Sequence, residues 1–166
     1  MIDIDQYQPN PSDSFLFDNN IWMYLYCPLG NYGQHIIKKY DRFLKKTISS
    51  GSRIYITSLT LSEFINAYSR LEFNLKKRLD SSTYQDYKKD FKGTQEYKDL
   101  IDDIVNNIKG HILKVSSRIS DSFETIDSEV LLNDLNESDF NDKYYAVLSY
   151  LRNMILVTDD ADFINE

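Results

Sequence analysis

Three short runs constrain this chain most: Phe15-Leu16-Phe17, Arg53 to Thr57 (RIYIT) and Met154 to Val157 (MILV). Each is apolar or β-branched over consecutive residues, which marks a strand buried in a sheet rather than half exposed at its surface. Helical periodicity fills the intervals. Ile21 to Tyr26 reads as a short apolar helix, and Ile36, Ile37, Tyr40, Phe43, Leu44 and Ile48 recur at helical spacing up to Gly51. Thr60 opens a helix whose apolar stripe is Leu61, Phe64, Ile65, Tyr68 and Leu71, and Asn141 to Asn153 places Tyr144, Val147, Leu148 and Leu151 on one stripe. Phe123 to Ile126 reads as a further weak strand and Glu129 to Leu135 as a short helix. Strands alternating with helices predict an α/β fold with a parallel sheet covered on both faces.

At 166 residues the chain has the length of one domain with a substantial core. Its 13 Tyr, 9 Phe and single Trp exclude a disordered chain. One cysteine, Cys27, excludes a disulfide framework and any Cys-based zinc cluster, and His35 and His111 are too few for a His-rich metal site. The five glycines make neither a Walker A nor a GxGxxG loop. The N-terminus, MIDIDQYQP, carries acids where a secretory signal needs a basic region, and no apolar run approaches membrane-spanning length, so a cytoplasmic location with no membrane partner is expected.

The net charge of −7 argues against holding nucleic acid by bulk charge alone, but the charge is unevenly divided. Residues 37–98 carry 14 Lys/Arg and 7 Asp/Glu, leaving 5 basic and 19 acidic residues elsewhere. Four of the acids fall at one kind of position: Asp18 closes a strand, Glu63 opens a helix directly after a strand, Asp142 begins a helix and Asp160 closes the last strand. In a parallel α/β sheet such positions gather on one edge, where these folds build their sites. Carboxylates converging there repel one another unless a cation neutralises them, and hard oxygen ligands select Mg²⁺ or Mn²⁺.

Each acid also has a structural reading. Thr60-Leu61-Ser62-Glu63 matches a capping box, Asp139 and Asp142 suit a helix cap and a first-turn acid, and Asp18, Asp159, Asp160 and Asp162 suit turns. All four landing on one edge is harder to explain by capping. The face of Asp142 continues through Ala146, Ser149 and Asn153, small or polar residues opposite the Tyr144 stripe, which predicts a helix packed on both sides and a partly buried acid.

FLFDNNIWMY, ITSLTLSEFINAY, DFNDKYYAVLSY and MILVTDDADF resemble, in order and approximate spacing, the four motif blocks of PIN-domain ribonucleases. The resemblance spans Phe15 to Phe163. It implies a three-layer sandwich over 14–166, with a central parallel sheet of four to five strands, preceded by a lead at 1–13; the basic helical region at about 74–119 matches no block. It further implies Mg²⁺- or Mn²⁺-dependent hydrolysis of single-stranded RNA, with Asp18, Glu63, Asp142 and Asp160 as metal ligands. Asn20 and Thr158 would position substrate, and Asp139, Asp159 and Asp162 are additional ligand candidates. Lys76, Lys77, Arg78, Lys88 and Lys89, interleaved with Tyr84, Tyr87 and Phe91, are candidates for RNA contact. RNA is the expected partner, and an antitoxin protein or a second copy of the chain are further candidates. The rival reading is a catalytically inactive PIN-like protein-binding module.

Overall fold

The computed structural model describes residues 4–133, 135 and 139–160. Strand β1 (Ser14–Phe17) leads into α1 (Asn19–Tyr26), and after a short turn α2 (Gln34–Ser49) runs back to β2 (Arg53–Ile56). Helix α3 (Ser58–Leu79) follows, then α4 (Gln95–Asn107), which passes through a π-helical turn into the single turn α5 (Leu113–Val115). Strand β3 (Ser117–Arg118), the short α6 (Ser128–Leu132), α7 (Phe140–Leu151) and β4 (Ile155–Val157) complete the fold. The four strands form one sheet in the order β3-β2-β1-β4, and every pairing is parallel. This is an α/β sheet between helical layers, as the alternating pattern predicts.

Local signals explain most boundaries. Gly51, at φ 76°, occupies the left-handed position that ends α2, a conformation free of Cβ strain only for glycine. The Thr57 hydroxyl accepts from the Thr60 amide at 3.1 Å and so starts α3, one turn earlier than the sequence suggested. Asp139 starts α7 in the same way through the Asn141 amide at 2.8 Å.

The two faces of the sheet bury different clusters because successive side chains of a strand point to opposite sides. Phe15 and Phe17 of β1 join Ile54, Ile56 and Val157 under α1 to α4, while Leu16 faces Tyr144, Tyr145 and Leu148 of α7. Phe17 is fully buried among Trp22, Phe43 and Phe15, with ring centroids 5.3, 6.1 and 6.4 Å away.

Two expectations are corrected. Phe123 to Ile126 is not a strand: Phe123–Thr125 is a 3-10 turn closed by hydrogen bonds back to Ser122 and Phe123, and the strand beside β2 is Ser117–Arg118. Its two exposed polar residues carry no apolar pattern, so only backbone pairing reveals it. Helix α7 is also rotated from the expected stripe. It buries Tyr144, Tyr145, Leu148 and Ser149, while Leu151 is half exposed and Ala146 and Val147 line an open groove with Val130 of α6.

Phe17→Ala is expected to cost about 3–5 kcal/mol through lost transfer energy and a residual cavity. A lowered urea midpoint at unchanged slope would check this.

Candidate active site

The parallel register brings the ends of β1 and β4 together. Phe17 pairs with Val157, and the next residue of each strand, Asp18 and Thr158, stand side by side, with the Asp18 amide donating to the Val157 carbonyl at 3.0 Å. The Thr158 hydroxyl is the hub of this corner. It donates to Asp18 Oδ2 at 2.8 Å, and accepts from Asn20 Nδ2 at 3.2 Å and from the Asp160 amide at 3.0 Å. Asp18 also accepts from the Asn19 amide at 2.5 Å as the N-cap of α1. It is 6% exposed, and burial pushes its pKa up, reinforced by the charge of Asp160 and opposed by these hydrogen bonds.

Glu63 is the sixth residue of α3, beyond the reach of the helix cap, so its capping-box reading is overturned. Its carboxylate instead crosses to α7. Asn141 Nδ2 donates to Oε1 at 2.6 Å and the Tyr145 hydroxyl donates to Oε2. Burial raises its pKa, these two bonds lower it, and the charges of Asp18 and Asp139 raise it further.

Asp142, in the first turn of α7, has no hydrogen-bond donor among the described residues. Burial, followed by the charges of Asp18, Asp139, Asp160 and Glu63, pushes its pKa up to about 7. Asp142 thus lies within electrostatic range of Asp18, Glu63 and Asp160 at the carboxyl end of the sheet. Asn20 Oδ1 beside them is buried and accepts no hydrogen bond from the described residues. Among those residues no three His, Cys, Asp or Glu side chains are placed to hold a metal ion together. The oxygen-only donor set and the unpaired Asn20 acceptor nevertheless fit a hard divalent cation, which would offset both the burial of these carboxylates and their mutual repulsion.

The remaining candidates divide. Asp139 accepts from the backbone as a helix cap while its charge still acts on Glu63 and Asp142. Both oxygens of Asp159 are engaged by tyrosines, Oδ1 by Tyr40 at 2.5 Å and Oδ2 by Tyr24 at 3.2 Å. Asp162 lies outside the described residues. Lys76 pairs with Glu72 at 3.5 Å and Glu96 at 3.4 Å, and Lys77 donates to the Gln85 carbonyl at 2.8 Å, so both brace the helical region that follows α3. With Arg78 they sit in the last turn of α3, roughly 20 Å along the helix from Glu63 at 1.5 Å per residue. Lys88 and Lys89 are exposed on the π-helical turn Tyr87–Phe91. Cys27 is buried, and its thiol pKa is pushed up to about 11, which makes it unreactive.

Asn141, Tyr145, Tyr24 and Tyr40 were not singled out from the sequence. Asn141 and Tyr145 lie four apart on α7 and therefore share a face, which is a signal for the first pair. The two tyrosines that hold Asp159 come from different helices, and no local pattern links them.

Compared with models of protein families, with curated proteins and with solved structures, the chain matches none.

A raised carboxyl pKa favours the protonated folded state, so its contribution is present at low pH and is lost as pH rises through the folded value. The midpoint of thermal unfolding of metal-free protein is therefore expected to fall between about pH 5 and about pH 8, the window set by Asp142 at about 7. Mg²⁺ is expected to restore it more at the upper end than at the lower, because a proton and a cation compete for the same carboxylates. Calorimetry at the two pH values, with and without Mg²⁺, checks both statements.

Proposed function

We propose that the protein is a Mg²⁺- or Mn²⁺-dependent endoribonuclease that hydrolyses single-stranded RNA. The observation that carries this reading is the clustering of Asp18, Glu63, Asp142 and Asp160 at the carboxyl end of a parallel sheet, where burial first and the neighbouring charges second push the Asp142 pKa up to about 7. The four sequence blocks that resemble those of PIN-domain ribonucleases supply the same acids in the same order.

In this reading the chain's own groups have separate tasks. Thr158 fixes the rotamer of Asp18 by donating to Oδ2, and Asn20 in turn holds the Thr158 hydroxyl. Tyr145 and Asn141 orient Glu63 by occupying one oxygen each. Asp142, from the first turn of α7, and Asp160, after β4, complete the set. A divalent ion bound by the four carboxylates would supply positive charge to a phosphodiester and lower the pKa of water for in-line attack on phosphorus.

The binding-module reading is favoured by one feature, the groove of about 640 Å³ between α6 and α7, beside which Tyr150 stands 87% exposed. Cleavage separates the two.

The purified protein is expected to cut single-stranded RNA in Mg²⁺ or Mn²⁺ and not in EDTA. Asp18→Asn and Asp160→Asn should each lower the rate by about a hundredfold or more, because each removes charge from the cation's donors. Cleavage that survives both changes, or that never appears with either ion, overturns the assignment. Asparagine caps a helix as well as aspartate does, so Asp18→Asn keeps the fold. Tyr145→Phe is expected to raise the Mg²⁺ concentration needed for half-maximal rate by about tenfold, the effect of freeing a ligand from its supporting hydrogen bond. A Mg²⁺ titration of the rate checks this.

A further inference from the structure

The loop between α1 and α2 is built around one aromatic ring. After a 3-10 turn at Pro28–Gly30 the backbone passes through Asn31 in the left-handed conformation, at φ 46°. The Tyr32 ring then folds back over Gly30 so closely that a Cβ at residue 30 would lie only 2.0 Å from its Cε2. Only glycine permits that approach.

Held there, Tyr32 meets Tyr24 edge to face with centroids 4.8 Å apart, and Tyr24 leans on Tyr40 at 5.7 Å. Asp159 fastens the group to the end of β4 by accepting from the hydroxyls of Tyr40 and Tyr24. The Lys39 ammonium lies 5.4 Å from the centre of the Tyr40 ring. Tyr40 is buried, while Tyr24 and Tyr32 are half-buried. Asp160 adjoins Asp159, and the Asp18 charge reaches the Tyr24 hydroxyl, so the aromatic group forms a rim of the acidic corner.

An acidic corner alone repels an RNA backbone, and the basic turn of α3 lies far along its helix with two of its lysines already engaged. A cation at the corner and the Lys39 ammonium beside Tyr40 address phosphate, so holding a base there takes a contact of another kind. Stacking of a base on an aromatic ring is such a contact, tolerant of sequence and worth about 1–3 kcal/mol per base.

The geometry points to Tyr32 and Tyr24 as a shelf on which one base of a single-stranded RNA stacks beside the acidic corner, with Asp159 as the residue that positions the shelf. This assignment rests on the nuclease reading above.

The test uses the Asp18→Asn protein in Mg²⁺, in which the RNA persists, and measures binding of fluorescein-labelled penta-adenylate by anisotropy. Tyr32→Leu is expected to weaken binding by about 5- to 150-fold, the equivalent of one lost stack, and Tyr32→Phe to stay within about twofold. Replacing single adenylates by abasic units should identify one position at which Tyr32→Leu has no further effect. Equal affinity for the leucine and tyrosine proteins, no such position, or no binding at all overturns the shelf. Unchanged binding by Tyr32→Leu in a protein whose parent cuts RNA rejects the shelf alone. A stacking loss in a protein whose parent cuts nothing keeps the shelf and rejects the nuclease.

Discussion

The pairing of β1 with β4 is the constraint on which the rest of the molecule depends. These strands are distant in sequence, yet Phe17 lies beside Val157, so Asp18 and Thr158 meet where their strands end. A slip of one residue would turn Phe15 and Phe17 toward the α7 side and Leu16 toward the aromatic core, exchanging the two faces of the sheet. The same slip would separate the Thr158 hydroxyl from Asp18. Core packing and the polar corner are therefore held by a single register, and the bulky aromatic residues enforce it because only one alternation buries them.

Much of this was legible in the chain. The consecutive apolar runs identified β1, β2 and β4, and the periodicity of the intervening segments identified α1 to α3 and α7, because burial on both faces of a strand and on one stripe of a helix leaves a direct trace in residue order. β3 left none: two exposed polar residues join the sheet through their backbone, which every sequence possesses. The rotation of α7 was hidden for a related reason. Tyr145, which the expected stripe leaves out, is buried together with Tyr144, and its hydroxyl is taken by Glu63 on another helix.

The four acids were legible as positions, since strand ends and helix starts can be read along the chain. Their partners were not. Asn141 and Tyr145 on Glu63, and Tyr24 and Tyr40 on Asp159, are choices made by tertiary contact between side chains of common types. The separation of roles among the acids follows from those partners. Asp159 satisfies both its oxygens with phenols, Asp139 gives one to a helix start, and Asp142 has neither oxygen bonded by a donor among the described residues, so nothing opposes the burial and the neighbouring charges that raise its pKa.

The two faces of the sheet are unequally filled. Among the described residues 17 buried side chains form the cluster under α1 to α4, and six form the cluster under α6 and α7. Local opening free energy generally follows buried apolar contact, and α7 rests on the smaller of the two clusters. Asp142, Asn141 and Tyr145 all ride on that helix, whereas Asp18 and Glu63 stand on the larger cluster. The acidic corner thus joins acids carried by two unequal clusters, one of 17 buried side chains and one of six among the described residues.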